Sequence, residues 1–142
     1  MATERTLCIV KPDAVEKKKA GAILALLEER GFNIIALRRR HLSKSVAEGF
    51  YAVHKARPFF GELVTFMTRS PVFVAVLERD NAVAEYRNVM GATDPAKADA
   101  GTIRKLYGSN VGENAVHGSD SLDNAKIEIA YFFPASEVAP SA

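Results

Sequence analysis

The chain has 142 residues, of which 19 are basic, 17 acidic and 48% hydrophobic, and a net charge of +2. That length and balance suit one globular domain, residues 1–142, able to bury about 70% of its unfolded surface without a staple, and the charge is too mild to argue for nucleic acid. One cysteine, Cys8, excludes an internal disulfide and reads as buried core, and the apolar runs fall far short of the roughly 18 residues a membrane helix needs.

Residues 1–10, MATERTLCIV, carry an early acid and no basic-then-apolar leader, which predicts a cytoplasmic protein. RTLCIVK, ending at Pro12, predicts a strand closed by a turn. AGAILALLEERG then spaces Ala20, Ile23, Leu24 and Leu27 along one helical face, with Gly31 as the stop. FNIIALRRRHL predicts a long strand with a wet, basic end, and Ser43 is a good N-cap for a helix through SKSVAEGFYAVHKA. PFFGELVTFM places proline at a helix entry and Leu63, Phe66 and Met67 on a buried face. PVFVAVLE has strand length, and NAVAEYRNVMG predicts a short helix ended by Gly91.

Residues 91–114 hold four of the nine glycines, so regular structure should be broken there. Long irregular segments inside compact domains are usually functional. AVHG follows as a short strand, and SDSLDNAKIEIAYFF as a helix with Leu122, Ala125, Ile129 and Phe132 inward. The end, PASEVAPSA, reads as a frayed tail. This order, with about four strands, favours a small sheet covered by helices in split-βαβ fashion.

No Walker or dinucleotide-binding glycine motif occurs, nor paired cysteines or H-E-x-x-H, so a P-loop, a Rossmann cradle or a zinc site is not expected. Lys11, Arg57, Arg87 and Arg104 could each be solvated surface. However, Arg87 and Arg104 flank the glycine-rich segment, where backbone N–H groups and guanidinium forks suit a phosphate chain, and Thr93 adds a hydroxyl. Phe60 reads as core. Phe59, at a helix start, could stack on a base.

His41 and His54 read as surface or satisfied core. His117 in NAVHGSDS has more distinctive surroundings. Free imidazole titrates near about 6.5, so much of it is neutral and nucleophilic at neutral pH. The following glycine is expected to open space for an incoming group. A helix starting at Ser119 or Asp120 would offer a positive end, and Glu128, two turns along, could hold one ring nitrogen and leave the other to attack. Ser119 and Ser121 are rival acceptors at the same corner.

NAVHGSDS resembles the N-x-x-H-G-S-D signature of nucleoside diphosphate kinases, and ERTLCIVKPDAV, EGFYAVHKARPFF, MGATDPAKADAGTIR and NAKIEIAYFF resemble other segments of that family in the same order. The resemblance implies an α+β, ferredoxin-like fold with a four-stranded antiparallel sheet. It implies transfer of the γ-phosphoryl of a nucleoside triphosphate to a diphosphate, low base specificity, and a role in maintaining triphosphate pools. His117 would be the nucleophile and become a pros-phosphohistidine. Lys11 and Asn114 would meet the ribose 3′ side and the transferring phosphate. Arg87 and Thr93 would hold inner phosphates, and Arg104 the outer ones. Phe59 and Val111 would sandwich the base. Tyr51 would lie beside the histidine, and Ser119 and Glu128 would orient it. Mg²⁺ would bind through nucleotide phosphates, with no protein side-chain ligands. A homo-oligomer is implied, tetramer before hexamer, with nucleic acid and membrane partners not expected.

The chain departs from the family pattern at Leu106, where an acid is frequent, and at Arg69–Ser70–Pro71, where S-G-P is frequent. These changes are expected to touch packing, a turn or a subunit contact. Three competing readings are a single-stranded nucleic-acid binder on the same fold, an inactive interaction protein, and a relay that hands phosphate to another protein. The first lacks the aromatic RNA-binding pattern on a strand. The second would be expected to lose the histidine or an arginine. The third would leave Phe59 and the ribose partners without purpose.

Overall fold

Strand β1 (Thr3–Val10) is buried on both faces from Thr6 onward, and the layers form around it. The computed structural model describes residues 3–138. β1 lies between β3 (Val72–Asp80) and β4 (Val116–Gly118), and β2 (Asn33–Arg40) closes the far edge, giving the order β2-β3-β1-β4. All three pairings are antiparallel, with Leu7 opposite Val76 and Ile9 opposite His117. This is the ferredoxin-like α+β arrangement.

Side chains alternate across a strand, so β1 serves two cores. Cys8 and Val10 pack with Ala75, Leu77 and Val116 under helices α2 (Ala20–Glu29) and α5 (Ala82–Met90). Leu7 and Ile9 pack with Val74 and Val76 under α3 (Lys44–Phe50), α4 (Phe60–Met67) and α7 (Leu122–Phe132). The run LCIV is continuously apolar because neither face of this strand meets water.

Several boundaries differ from expectation. The turn predicted after β1 is the short helix α1 (Pro12–Glu16), with proline at a first-turn position that needs no N–H donor. Pro58 lies outside α4, whose N-cap position is Phe59. Val64 and Met67 are its buried residues, and Leu63 and Phe66 are only partly covered. The glycine-rich segment contains helix α6 (Ile103–Tyr107), capped by Thr102. Leu122, expected inside, is 41% exposed. It is the first residue of α7 and lines an open groove with Lys126, Ile129 and Phe133. Residues 134–138 do not fray. Val138 packs on the second core, and Glu137 pairs with Arg38 at 3.2 Å. The remainder of the expected tail, 139–142, lies outside the described residues.

Two glycines are required by close approach. Gly91 has φ +87°, and a Cβ there would lie 2.7 Å from Cβ of Thr102, so this glycine lets α6 dock. At Gly118 a Cβ would lie 2.6 Å from Sδ of Met90 and 2.7 Å from the Tyr86 ring. Gly118→Ala should cost about 1–3 kcal/mol, the usual penalty of overpacking. Gly61→Ala, in a helix with open space around the site, should add about 0.5–1 kcal/mol. Urea unfolding of both variants checks the contrast; equal midpoints would contradict it.

Candidate active site

The short strand β4 delivers the histidine. Val116 belongs to the α2/α5 core, so alternation turns His117 to the opposite face. There its ring meets Phe50 at 5.4 Å and Tyr51 at 6.5 Å, both edge-on. Nε2 lies 3.0 Å from Oε1 of Glu128 on α7. The same carboxylate oxygen accepts the Ser119 hydroxyl at 2.7 Å. Ser119 is fully buried, and its Oγ in turn accepts from the backbone N–H of Leu7 on β1 at 3.3 Å. The imidazole stays about 20% exposed, and no described residue bonds Nδ1.

Two expectations are corrected. Gly118 does not open space for a ligand; Met90 and Tyr86 press against it. The helix begins at Leu122, not at Ser119 or Asp120, because Ser121 is its N-cap and accepts from the Asn124 N–H at 3.1 Å. Ser119 and Ser121 are therefore both engaged, one in holding Glu128 and one in capping.

Cationic groups gather along the backbone that leads to this ring. Nζ of Lys11 donates to Oδ1 of Asn114 at 2.9 Å, and Nδ2 of Asn114 donates to the Thr93 carbonyl at 3.0 Å. Thr93 thus contributes its carbonyl to the frame, while the residue itself stays exposed. Arg104, only 8% exposed, donates to the carbonyls of Gly91 (3.2 Å) and Val116 (3.0 Å), and its Nε is buried without a partner among the described residues. Arg87 is exposed on α5, close enough for its charge to act on Arg104 and Asp120. Burial pushes Lys11 down to about 8, the charge of Arg104 adds to this, and Asp13 opposes it. Burial likewise lowers Arg104 and raises the Tyr51 phenol, whose hydroxyl has no partner among the described residues.

The backbone between Asn114 and His117 is strained. Ala115 has φ +75°, and the Val116 N–H donates to the Asn114 carbonyl at 2.9 Å, a γ-turn of the rare, left-handed kind. Lys11 N–H donates to the Ala115 carbonyl at 2.8 Å, and Oδ2 of Asp13 accepts the Ala115 N–H at 3.1 Å. The buried Tyr86 hydroxyl donates to the His117 carbonyl at 2.9 Å.

Phe59 and Val111 stand apart from this cluster, 46% and 56% exposed. Phe59 lines a cleft of about 630 Å³ with Leu63, Phe66, Asn110 and Gly112, the last two flanking Val111. Phe50, Asp13 and Tyr86 were missed in the sequence. Asp13 has a signal in its place two residues after Lys11, and Phe50 in its place beside Tyr51, whereas Tyr86 acts through a contact 31 residues away.

A ring nitrogen held by a carboxylate, a second nitrogen left open, and three cations nearby can make and break a bond to phosphorus. The family model described as nucleoside diphosphate kinase matches residues 4–138. A nucleoside diphosphate kinase of Sorangium cellulosum (strain So ce56) is 68% identical over 142 residues, covering 100% of this chain and 99% of that protein. One from Anaeromyxobacter dehalogenans (strain 2CP-1 / ATCC BAA-258) is 62% identical over 97% of this chain and 94% of its own length. Among solved structures, the Aquifex aeolicus nucleoside diphosphate kinase superposes with a TM-score of 0.95 at 44% identity, covering 97% of this chain and all of that one. The Halobacterium salinarum enzyme in complex with CDP gives 0.93 at 39%, covering 99% of this chain and 94% of that one.

The lowered Lys11 sets a pH dependence. It is charged below about 8 and neutral above, so affinity for a phosphate chain should fall as pH rises through that value. Calorimetric titration with pyrophosphate should show this fall, and Lys11→Met should bind weakly with a flat profile. A wild-type affinity constant between about pH 6 and 10 would contradict the assignment.

Proposed function

The chain belongs to the nucleoside diphosphate kinase family, and on that footing we propose that His117 carries the γ-phosphoryl group from a nucleoside triphosphate to a diphosphate. The contact of Nε2 with Glu128 at 3.0 Å carries this reading. A carboxylate there favours the tautomer with the proton on Nε2, which puts the lone pair on Nδ1. In the first half-reaction Nδ1 attacks the γ-phosphorus, an N–P bond forms, the bond to the β-phosphate oxygen breaks, and the diphosphate leaves. A second diphosphate reverses these steps. Lys11 and Arg104 balance charge on the transferring group, and Arg87 and Thr93 hold the inner phosphates. Asn114 and Lys11 also meet the ribose 3′ side, and Tyr51 sets its ring edge-on to the imidazole.

Mg²⁺ would ride on phosphate oxygens, which suit a hard cation, and it would neutralise charge on the nucleotide. The cations at this site fit phosphates rather than a metal. Phe59 and Val111 would grip the base by its faces, and a face carries little base identity, so low base specificity and service to all triphosphate pools follow. Among the described residues no helix is long and apolar enough to cross a membrane. We read residues 1–142 as one cytoplasmic domain that assembles as a homo-oligomer, a tetramer before a hexamer, which light scattering decides.

ATP and Mg²⁺ alone should add one phosphoryl group per chain by intact mass. The label should survive alkali, decay in acid as a phosphoramidate does, and pass to an added diphosphate. His117→Ala should abolish labelling and Ser119→Ala should retain most of it. Ping-pong turnover by His117→Ala would overturn the assignment.

A further inference from the structure

The two residues that depart from the family's S-G-P pattern converge on one carboxylate. Arg69 sits just beyond α4, and its Nε and NH2 donate to Oε2 and Oε1 of Glu16 at 2.9 and 2.7 Å, a bidentate fork. Its NH2 also reaches Glu113 at 3.3 Å, and its guanidinium lies over the Phe66 ring at 5.0 Å. Ser70 Oγ donates to the same Glu16 at 2.5 Å. Neither serine at 69 nor glycine at 70 could make these bonds, because neither side chain reaches.

The bonds fall at informative places. Glu113 immediately precedes Asn114, and Glu16 ends the helix that starts after Lys11. Beside Glu16, Lys17 donates to the Tyr107 carbonyl at 3.2 Å and to Ser109 Oγ at 2.6 Å. Residues 107–113 are thus fastened at both ends to α1 and the end of α4. Between the fastenings Asn110 closes the turn, its Oδ1 accepting the N–H groups of Gly112 and Glu113 at 3.0 Å each. Val111 stands exposed at the tip, between Asn110 and Gly112, which line the cleft together with Phe59.

We propose that Arg69 is a positioning residue for nucleotide binding, an ionic clip that holds segment 107–113 at a fixed distance from α4 so that Val111 and Phe59 face one another before the ligand arrives. The proposal rests on the base-sandwich reading above. A segment already ordered loses less freedom on binding, so the clip acts on affinity rather than on the bond-making step. The side chains are about 40% exposed, so added salt should weaken the clip.

Arg69→Ser and Glu113→Gln should each raise KM for the diphosphate about three- to fivefold, the scale of a networked surface ion pair, with kcat changed less than about twofold. Arg69→Lys, which keeps the charge but loses the fork, should fall between. The double variant should be no worse than the poorer single one, and the gap from wild type should narrow at about 1 M salt. KM unchanged in both single variants, additive losses, or a gap indifferent to salt would each overturn the clip. Labelling of His117 by saturating ATP should persist in all variants. Its absence from the wild type would overturn the functional reading instead, which keeps the two failures distinct.

Discussion

One carboxylate oxygen, Oε1 of Glu128, organises the reacting group. It takes Nε2 of His117 and the hydroxyl of Ser119 at once, so ring and helix are locked together. The lock exists only because three elements agree. β4 must pair with β1 in the register that sets His117 opposite Ile9, Ser119 must reach the Leu7 N–H, and α7 must lie along the same face of the sheet. A slip of one residue in β4 would turn His117 toward Tyr86 and bring Gly118 to Glu128. Hydrogen bonds to a charged group contribute about 1.5–3 kcal/mol each, enough to hold the imidazole in one orientation while leaving its other nitrogen open.

The backbone leading to that ring is held against its own preference. A left-handed γ-turn at Ala115 costs on the order of 1–3 kcal/mol and persists only where neighbours over-determine it. Here Lys11 N–H, Asp13, Tyr86 and Arg104 bond four successive points from Ala115 to His117. Two of these groups, Lys11 and Arg104, are also the proposed phosphate ligands. The groups that fix the nucleophile's backbone and the groups that would meet its substrate therefore move as one unit, which is how a site avoids reorganisation during reaction. Burial keeps this unit dry at its base, as the lowered Lys11 and Arg104 and the raised Asp13 register.

Much of this was legible in the sequence. The alternation of apolar runs yielded the four strands, Ser43 and Gly91 marked real helix ends, and the spacing from His117 to Glu128 placed the acid on a helix beside the ring. The illegible parts were those set by contacts remote in sequence. In the sequence Gly118 suggests an opening because a glycine advertises freedom; nothing local says that Tyr86 and Met90 fill the space. Ser119 looked like a helix cap because the strand's end and the cap lie within three residues, and only the Leu7 bond distinguishes them. Pro12 marks the end of a strand in the sequence, while it also begins a helix. Arg69 was visible as a departure from the family pattern, yet its partners Glu16 and Glu113 lie 53 and 44 residues away.

If Glu128 fixes the ring as described, the identity of the phosphorylated nitrogen is determined by the fold. Nuclear magnetic resonance of the phosphorylated protein, with histidine labelled at both ring nitrogens, reads that identity through coupling to phosphorus. The account predicts the phosphoryl group on Nδ1 of His117, with the proton retained on Nε2 against Glu128. A phosphoryl group on Nε2 would require Glu128 to have released the ring and would contradict the account at its centre.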